Sequence, residues 1–324
     1  MSRLILAPME GLADDVLRAV LTTPGSYDWC VTEFVRVTNT LLPHSHFCRV
    51  SPELKTGSQT LSGTPVRVQL LGSDPVRMAH NAVHLALLQP EGIDLNFGCP
   101  TPLVNRNRGG AALLEEPELL HQITLAVRQA VPASIPVTAK MRLGITDTAF
   151  ALDCAQALAS AGVQELVVHG RTKQDGYRPQ VRWEWIARIR ETVTVPVIAN
   201  GEVWNEADYQ AIRATTGCAD VMLGRGAVAD PILATRLKQG LAPCHERDWA
   251  AIKPLLADFW QRVQFKLEAR HTPGRLKQWL GLMRRTYPQA EVLYRDVRES
   301  RLADEVTPIL VRHGIEPALA RQAA

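Results

Sequence analysis

Ile93–Phe97 reads IDLNF, a short apolar run that leads directly into Gly98, Cys99 and Pro100. Seven further runs, before and after it, share its nearly continuous apolar character. The eight runs are 4–8 (LILAP), 29–34 (WCVTEF), 66–71 (VRVQLL), 93–97 (IDLNF), 137–141 (VTAKM), 165–169 (ELVVH), 197–200 (VIAN) and 220–223 (DVML). Continuous rather than alternating apolar residues are typical of parallel strands that are buried on both faces.

Helical patterns fill the intervals between these runs. One begins at Asp74-Pro75 and another at Glu116-Pro117, where proline suits the first helical turn. A third spans 149–160, and Asn205 is placed to cap a fourth. Strand–helix alternation repeated eight times predicts an α/β fold, a (β/α)8 TIM barrel. A doubly wound parallel sheet is the alternative, but it usually has fewer strands.

Two segments depart from this alternation. Residues 35–65 are a long connection, in which we expect a helix and an irregular loop with a small hairpin that helps to cover the active site. From about residue 245 the strand-like runs stop, and helical patterns occupy 249–270, 275–286, 291–298 and 304–313, with a break expected at Thr272-Pro273-Gly274. The sequence therefore predicts a barrel domain over 1–243 and a helical bundle over 244–324.

The composition is that of a globular protein that is neither strongly basic nor strongly acidic. Hydrophobic residues make up 46% and charged residues 21% of the 324 residues, and the formal net charge is +3. Residues 245–324 hold 14 Lys and Arg against 10 Asp and Glu, so the positive charge is concentrated there. A solvated helix face and a nucleic-acid interface both fit that surplus.

The six cysteines form no CxxC pair, and the sequence contains no HExxH motif. The apolar run in MSRLILAPMEG is too short for a signal peptide, and no stretch approaches the roughly 20 apolar residues of a membrane span. We therefore expect a cytoplasmic monomer with free thiols that binds neither a membrane nor a metal.

Polar side chains stand at or beside the carboxyl ends of the apolar runs. In a TIM barrel those ends form one rim, where catalytic residues lie. Gln69 and Asn96 each offer a donor and an acceptor, which suits an imide-bearing ring. Lys140 is a cation at a buried strand end, and burial is costly unless an anion, such as a reduced flavin, answers it. The set is Glu33, Gln69, Asn96, Lys140, Arg142, His169, Asn200 and Arg225.

The last two runs lead into ANGE (199–202) and LGRG (223–226). Glycines at these positions let backbone amides approach a phosphate, and the loops after strands seven and eight of TIM barrels often bind one. Arg225 adds a possible bidentate contact. No G-x-G-x-x-G follows the first run, which argues against a resident dinucleotide domain.

Cys99 lies in a turn that Gly98 permits and Pro100 fixes, so its thiol is expected over the barrel mouth. A small buried thiol that only packs is the alternative. If Cys99 is functional, acid chemistry is favoured over nucleophilic chemistry. Nothing in NFGCP supplies a cation to lower the pKa, and an ordinary thiol keeps its proton near neutral pH.

The sequence resembles the tRNA-dihydrouridine synthases across the whole barrel. The resemblance rests on APMEG (7–11), TEFVR (32–36), VQLLG (68–72), DLNFGCP (94–100), RGGAALL (108–114), AKMRLG (139–144), VVHGRT (167–172), PVIANGE (196–202) and LGRGA (223–227). The TEFVRV block, Gly176-Tyr177-Arg178 and GRLKQWL (274–280) are similar to the C subfamily, which is associated with uridine 16 of the tRNA D-loop.

This resemblance implies FMN as the cofactor and NADPH as the transient electron donor. It places FMN contacts at Ala7, Pro8, Met9, Gln69, Lys140, His169, Asn200, Gly201, Glu202, Gly224 and Arg225. It places tRNA contacts at Arg36, Asn96, Tyr177, Arg275, Lys277 and Arg298. The sequence departs from the family pattern at Leu282, where a polar or aromatic contact is expected, and in the arginine-containing segment PLVNRNRG (102–109).

The implied reaction is the reduction of uridine to 5,6-dihydrouridine in the D-loop. Reduced FMN gives hydride to carbon 6 and Cys99 gives a proton to carbon 5, with Lys140 and Asn96 as further catalytic residues. Two alternatives share the same rim. One is an FMN-dependent barrel oxidoreductase for a free small molecule of the dihydroorotate or enone type, and the other is a non-catalytic RNA-binding barrel.

Overall fold

Eight parallel strands close into a barrel in a computed structural model that describes residues 2–106, 108–178 and 180–316. Each strand pairs with the next along the chain, and β8 pairs with β1. The predicted TIM barrel is confirmed, and the open doubly wound sheet is excluded. The strands are β1 Leu4–Leu6, β2 Trp29–Arg36, β3 Val66–Leu71, β4 Ile93–Phe97, β5 Val137–Arg142, β6 Leu166–His169, β7 Val197–Asn200 and β8 Val221–Leu223.

Helices follow the strands on the outside of the barrel. Asn205 accepts a hydrogen bond from the backbone amide of Asp208, so the predicted cap is confirmed, and Asp74 caps its helix in the same way by accepting from the amide of Arg77. The third predicted helix begins at Ala151 rather than 149. These helices are α1 Asp15–Thr22, α2 His44–Val50, α3 Pro75–Ala86, α4 Pro102–Arg106, α5 Pro117–Ala130, α6 Ala151–Ser160, α7 Trp183–Thr192, α8 Glu206–Thr216, α9 Arg225–Ala229 and α10 Leu233–Gln239.

The long connection after β2 packs on the side of the barrel. It contains α2, a 3-10 helix at Pro52–Thr56 and an antiparallel bridge between Gln59 and Pro65. The buried guanidinium of Arg18 pairs with Glu53 at 2.8 Å and ties this segment to α1. No residue of 37–65 lines either of the two cavities at the barrel rim, so the expectation that this segment covers the active site is wrong.

Four helices follow the barrel, as predicted. They are α11 His245–Lys266, α12 Thr272–Met283, α13 Pro288–Val297 and α14 Ala303–Arg312. The break expected at Thr272-Pro273-Gly274 is instead the first turn of α12, because a proline there removes no intrahelical hydrogen bond. The domain boundary after residue 243 stays a prediction. No helix in the described parts of the chain has both the length and the apolar character that a bilayer crossing needs.

A buried polar cluster joins the helices to the end of the barrel. Asp230 accepts a hydrogen bond from the Tyr287 hydroxyl at 2.7 Å and pairs with Arg236, which also pairs with Asp248 at 3.1 Å. Burial and the negative charge of Asp230 raise the pKa of Tyr287, which keeps the phenol protonated as a donor. The Trp279 indole also donates to the carbonyl oxygen of Val228 in α9 at 3.0 Å.

Gly226 in α9 is the tightest glycine position beside the rim. A Cβ atom at this position would lie 1.9 Å from the carbonyl oxygen of Val203. We expect Gly226→Ala to lower the free energy of unfolding by about 1–3 kcal/mol, because backbone atoms must move apart. Gly281→Ala in α12 is the matched control, since no atom lies within 4 Å of its Cβ position and alanine is the better helix former. Equal melting temperatures for the two variants would contradict this prediction.

Candidate active site

Two adjoining cavities open at the carboxyl ends of the strands. The first, here called the β7–β8 cavity, holds every predicted FMN contact except Gln69. The second, the Cys99 cavity, holds Gln69, Asn96 and Cys99 and has a volume of about 400 Å³. Ligand sites typically measure roughly 300–1,000 Å³, so this cavity is large enough for a ligand. Both cavities are lined by Pro8, Met9, Lys140, Tyr177 and Arg225.

Glu202 organises the wall of the β7–β8 cavity. Its Oε1 accepts hydrogen bonds from Arg171 at 2.9 Å and from Arg225 at 2.7 Å, and its Oε2 accepts one from the Trp204 indole at 2.9 Å. Burial opposes ionisation, but these donors and the two positive charges outweigh it and lower the pKa of Glu202. The carboxylate is therefore occupied, and any ligand contact of Glu202 falls to its backbone amide.

Donors that suit a phosphate remain in this cavity. The backbone amides of Glu202, Gly224 and Arg225 donate to no other group in the described part of the chain. Gly201 and Glu202 both have positive φ values, 120° and 58°, which turn successive amides toward one side. The Arg225 guanidinium is held 4.2 Å above the Tyr177 ring.

His169 carries a buried polar atom without a protein partner. Its Nδ1 has no hydrogen bond to any residue that the structure describes. Burial and then the positive charges of Arg142 and Lys140 lower the pKa of His169 well below its ordinary range, so the ring is neutral. Since an unsatisfied buried polar atom costs free energy, this atom indicates a ligand that bonds to it.

Lys140 is the cation that both cavities share. Its ammonium forms no hydrogen bond or ion pair within residues 2–106, 108–178 and 180–316. Burial and the charge of Arg142 lower the pKa of Lys140 to about 8, although Asp94 opposes this shift. A free cation beside unused amides and an unpartnered imidazole fits a phosphorylated, carbonyl-bearing cofactor such as FMN. No group of three or more His, Cys, Asp or Glu side chains in the described residues is placed to hold a metal.

Cys99 lies in the second cavity, directly after β4. Its side chain is 7% exposed and lines the cavity, and its Sγ is 2.6 Å from the hydroxyl of Thr101. The turn is fixed by Asn96, whose Oδ1 accepts from the amides of Gly98 and Cys99 at 3.0 and 2.9 Å. The sequence left two alternatives for this thiol, a place at the barrel mouth or a buried place where it only packs. Because Cys99 lines the cavity, the structure favours the barrel mouth.

The amide oxygens of Asn96 and Gln69 are used within the protein. Asn96 Nδ2 donates to Gln69 Oε1 at 2.7 Å, and Gln69 Nε2 donates to Asp94 at 2.7 Å. Asn96 Oδ1 accepts two hydrogen bonds, so Asn96 offers the cavity only its remaining N–H, whereas Gln69 Oε1 accepts one and keeps a lone pair. The expectation that both side chains present an acceptor as well as a donor is corrected for Asn96.

Three charged groups lie near the thiol, of which Arg142 and Glu33 were predicted only as rim residues and Glu10 was missed. Arg142 donates from Nε to the Gly98 carbonyl at 2.9 Å and is close enough to interact electrostatically with Cys99. Glu10 and Glu33 line the same cavity, and burial raises the pKa of both, that of Glu10 to about 7. The only available signals were their positions at strand ends, which gave no distances. Two carboxyl groups make this cavity unfavourable for a phosphate and favourable for N–H or O–H donors.

The predicted tRNA contacts divide into two groups. Asn96 and Tyr177 line the Cys99 cavity, and Tyr177 is 61% exposed. The other four residues lie outside both cavities. They are Arg36 at the end of β2, Arg275 and Lys277 on α12, and Arg298 just after α13.

Arg275 and Lys277 have partners within the protein. Arg275 pairs with Asp14 at 2.8 Å and donates to the carbonyl oxygens of Gly11 and Leu12, while Gln278 also donates to Gly11 at 2.7 Å. Glu33 holds the amide of the same Gly11 from the barrel side. Lys277 donates to the carbonyl oxygen of Ser300 at 2.6 Å, and Arg298, which is 60% exposed, pairs with its neighbour Glu299.

A closed barrel with a basic, amide-lined cavity beside a thiol-bearing one defines a TIM-barrel oxidoreductase that binds a phosphorylated cofactor. A family model described as dihydrouridine synthase (Dus) matches residues 5–287. The chain belongs to the dihydrouridine synthase family, and it is accordingly a flavin-dependent oxidoreductase.

Curated relatives match over nearly their whole length. A tRNA-dihydrouridine(16) synthase of Ralstonia nicotianae is 52% identical over 322 residues, which cover 99% of this chain and 97% of that protein. One of Cupriavidus necator is 53% identical over 312 residues, 96% of this chain and 97% of its own. One of Neisseria meningitidis serogroup A is 48% identical over 312 residues, 95% and 94% of the two chains.

Solved structures share the fold at low sequence identity. Histamine dehydrogenase from Rhizobium sp. 4-9 matches 79% of this chain and 48% of its own with a TM-score of 0.56 and 14% identity. Morphinone reductase in complex with tetrahydroNAD matches 75% of this chain and 88% of its own, with a TM-score of 0.52 and 13% identity. These similarities support the barrel architecture alone.

The shifted pKa of Lys140 predicts a pH-dependent penalty on the flavin-free protein. Between pH 8 and 10.5 the unfolded chain keeps the lysine proton that the folded chain has lost, so stability rises with pH in that window. Below it, the folded protein carries the full cost of the buried charge. Lys140→Met should therefore raise the melting temperature of the flavin-free protein at pH 7, and its advantage should shrink as the pH rises through 8 toward 10.5.

The exposed Lys55 is the matched control for this measurement. Lys55→Met should leave the melting temperature unchanged across the same pH range. A Lys140→Met protein that melts no higher than wild type at pH 7, or an advantage that does not depend on pH, would contradict the prediction.

Proposed function

We propose that this protein reduces a uridine in the D-loop of tRNA, at position 16, to 5,6-dihydrouridine, with FMN as its cofactor and NADPH as the electron donor. The observation that carries the proposal is the shared rim, on which the Cys99 thiol and the Lys140 ammonium line one open cavity beside a phosphate-type cavity. The position of the uridine rests on the curated relatives, which are named tRNA-dihydrouridine(16) synthases.

The β7–β8 cavity is the proposed phosphate end of the cofactor site. Arg225 and the amides of Glu202 and Gly224 would hold the phosphate, and Lys140, His169 and Gln69 would contact the ring system. The remaining proposed FMN contacts, which line the same cavity, are Ala7, Pro8, Met9, Asn200 and Gly201. Held there by these residues, FMN reduced with electrons from NADPH would be the source of hydride for carbon 6 of the uracil.

The protein supplies the proton and the orientation. As carbon 6 gains hydride, the carbon 5–carbon 6 double bond is lost and carbon 5 takes a proton from the Cys99 thiol, which leaves a thiolate for water or buffer to reprotonate. The Arg142 guanidinium donates to the carbonyl oxygen of Gly98 and so helps to hold the turn that carries this thiol. The free N–H of Asn96 would bond to a uracil carbonyl oxygen, and the Lys140 ammonium would offset the developing negative charge.

A uridine reaches this cavity only after it leaves the folded RNA, which costs a few kcal/mol. Tyr177 at the mouth presents an exposed ring on which the extruded base can stack. Glu10 and Glu33 can accept hydrogen bonds from the ribose hydroxyls or the base N–H. Arg36 on the barrel and Arg275, Lys277 and Arg298 in the helical region that follows it would contact phosphates and so set the orientation of the tRNA.

Cys99→Ala should bind flavin as wild type does but lose dihydrouridine formation by about 10²–10⁴-fold, the usual contribution of a general acid. Flavin absorbance of the purified protein and dihydrouridine content of treated tRNA measure the two properties. Cys48→Ala is the control, because Cys48 lines neither cavity. Near wild-type dihydrouridine formation by Cys99→Ala would refute the proton-donor assignment.

Arg275→Ala combined with Lys277→Ala should weaken tRNA binding and reduce its salt dependence by roughly one or two units of slope. Because Arg275 also pairs with Asp14, a loosened loop could imitate this result. Asp14→Asn removes that ion pair but keeps both cations, so it should leave the salt dependence unchanged. Unaltered tRNA affinity of the double variant at every salt concentration would exclude docking through α12.

A further inference from the structure

A row of buried polar side chains crosses three neighbouring strands beneath the Cys99 cavity. In the strand register, Gln69 of β3 pairs with Asp94 of β4, and Asp94 pairs with Thr138 of β5. All three side chains are buried, and Asp94 is 1% exposed. Asp94 accepts from the Thr138 hydroxyl at 2.6 Å and from Gln69 Nε2 at 2.7 Å. Two residues further along β4 and β5, Asn96 lies beside Lys140.

An ionised carboxylate accepts hydrogen bonds and donates none. Because Asp94 can only accept, Gln69 must point its side-chain N–H toward Asp94 on β4. The oxygen of Gln69 then accepts from Asn96 Nδ2. Asn96 must then turn its oxygen to the amides of Gly98 and Cys99. Taken alone, the side-chain amide of Gln69 or Asn96 could adopt either of two orientations that exchange its oxygen and its NH2 group, because the two have a similar shape. The carboxylate thus selects the orientation of both amides and of the turn that carries the thiol.

We propose that Asp94 is a positioning residue for the reaction: its carboxylate fixes the donor direction of the Gln69–Asn96 chain and thereby aims the Cys99 thiol and turns the free N–H of Asn96 toward the ligands. The proposal rests on the proposed function, because it assigns Asp94 an effect on proton transfer from Cys99. It also assigns the class of ligand group that these amides recognise, the carbonyl oxygens of a ring such as uracil or flavin.

The Asp94 carboxylate also interacts electrostatically with Lys140. Burial raises the pKa of Asp94, while hydrogen bonds from Gln69 and Thr138 and the nearby Lys140 charge act against that rise. In return, the Asp94 carboxylate favours the protonated form of Lys140. An asparagine of the same shape could fill the space, but Thr138 and Gln69 each donate to a separate carboxyl oxygen, and an asparagine has one oxygen for these two donors. Two converging donors are what a buried carboxylate accommodates at this position.

The first test is the alkylation of Cys99 by a thiol reagent in flavin-free protein, followed on the Cys99 peptide by mass spectrometry. Asp94→Asn should accelerate alkylation by about tenfold, because the replacement can present an N–H to Gln69, so that the orientation of Gln69, and with it that of the Asn96 amide that holds the turn, is no longer fixed. Thr138→Val is the matched control, since it removes one hydrogen bond to Asp94 but keeps the carboxylate and the Gln69 direction, and it should stay within about twofold of wild type. An Asp94→Asn protein that alkylates at the wild-type rate would overturn the proposal.

A double variant distinguishes an effect of hydrogen-bond direction from an effect of altered packing. In Asp94→Asn combined with Gln69→Glu, the asparagine N–H can donate to the new carboxylate, whose other oxygen can still accept from Asn96. This double variant should restore slow alkylation of Cys99. Equal acceleration in the single and double variants would also overturn the proposal. If Asp94→Asn does not fold, Gln69→Leu breaks the chain nearer the thiol without removing the buried charge and should show the same acceleration.

The second test is single-turnover dihydrouridine formation with reduced, FMN-loaded protein and tRNA. Asp94→Asn should lower the rate by roughly 10- to 100-fold, the effect of a misplaced catalytic group, with tRNA affinity within about twofold. In a Cys99→Ala background the same change should cost clearly less, because only the orientation of the amides remains to be lost, and an equal loss in both backgrounds would overturn the proposal. Alkylation needs neither substrate nor cofactor, so it tests the position of the thiol independently of the proposed function. The proposed function is tested separately, and it is refuted if the wild-type protein forms no dihydrouridine.

Discussion

The pairing of β1 with β8 is the interaction on which the site depends. Leu4, Ile5 and Leu6 pair with the three residues of β8, and the amide of Ala7 continues the contact by donating to Leu223 at 2.9 Å. This closure brings the residues that follow the first strand against those that follow the last, although more than two hundred positions separate them in sequence. The β7–β8 cavity exists only because the sheet is closed.

Closure also concentrates positive charge at the rim. The side chains of Arg142, Lys140, Arg171 and Arg225 all act on His169 and keep it neutral. Glu202 answers Arg171 and Arg225, and Asp94 acts on Lys140, but Lys140 has no direct partner among the residues that the structure describes. A fold that leaves such a cation exposed to a cavity gives up some stability for the ability to bind an anionic or carbonyl-bearing ligand.

Much of the architecture can be predicted from local sequence, whereas the hydrogen bonds and ion pairs of the site cannot. The bounds of β3, β4 and β7 agree with the apolar runs, because buried parallel strands need apolar residues on both faces. The first run was predicted to reach Pro8 but the strand ends at Leu6, since proline has no amide to pair. The rim residues were predictable as strand ends. Their hydrogen-bond partners depend on lateral register and on contacts such as Arg275 with Asp14, which no local pattern contains.

Gly11 is held from opposite sides, with its amide on Glu33 of the barrel and its carbonyl on Arg275 and Gln278 of α12. It stands two positions after Met9, which lines both cavities. Sequence change at the contact between Gly11 and α12 is therefore constrained during evolution. A replacement on α12 that shifts the helix also displaces the peptide next to the active site. Homologues that differ at one of these positions should carry an accompanying exchange at the other, so that the two segments of the gene change together.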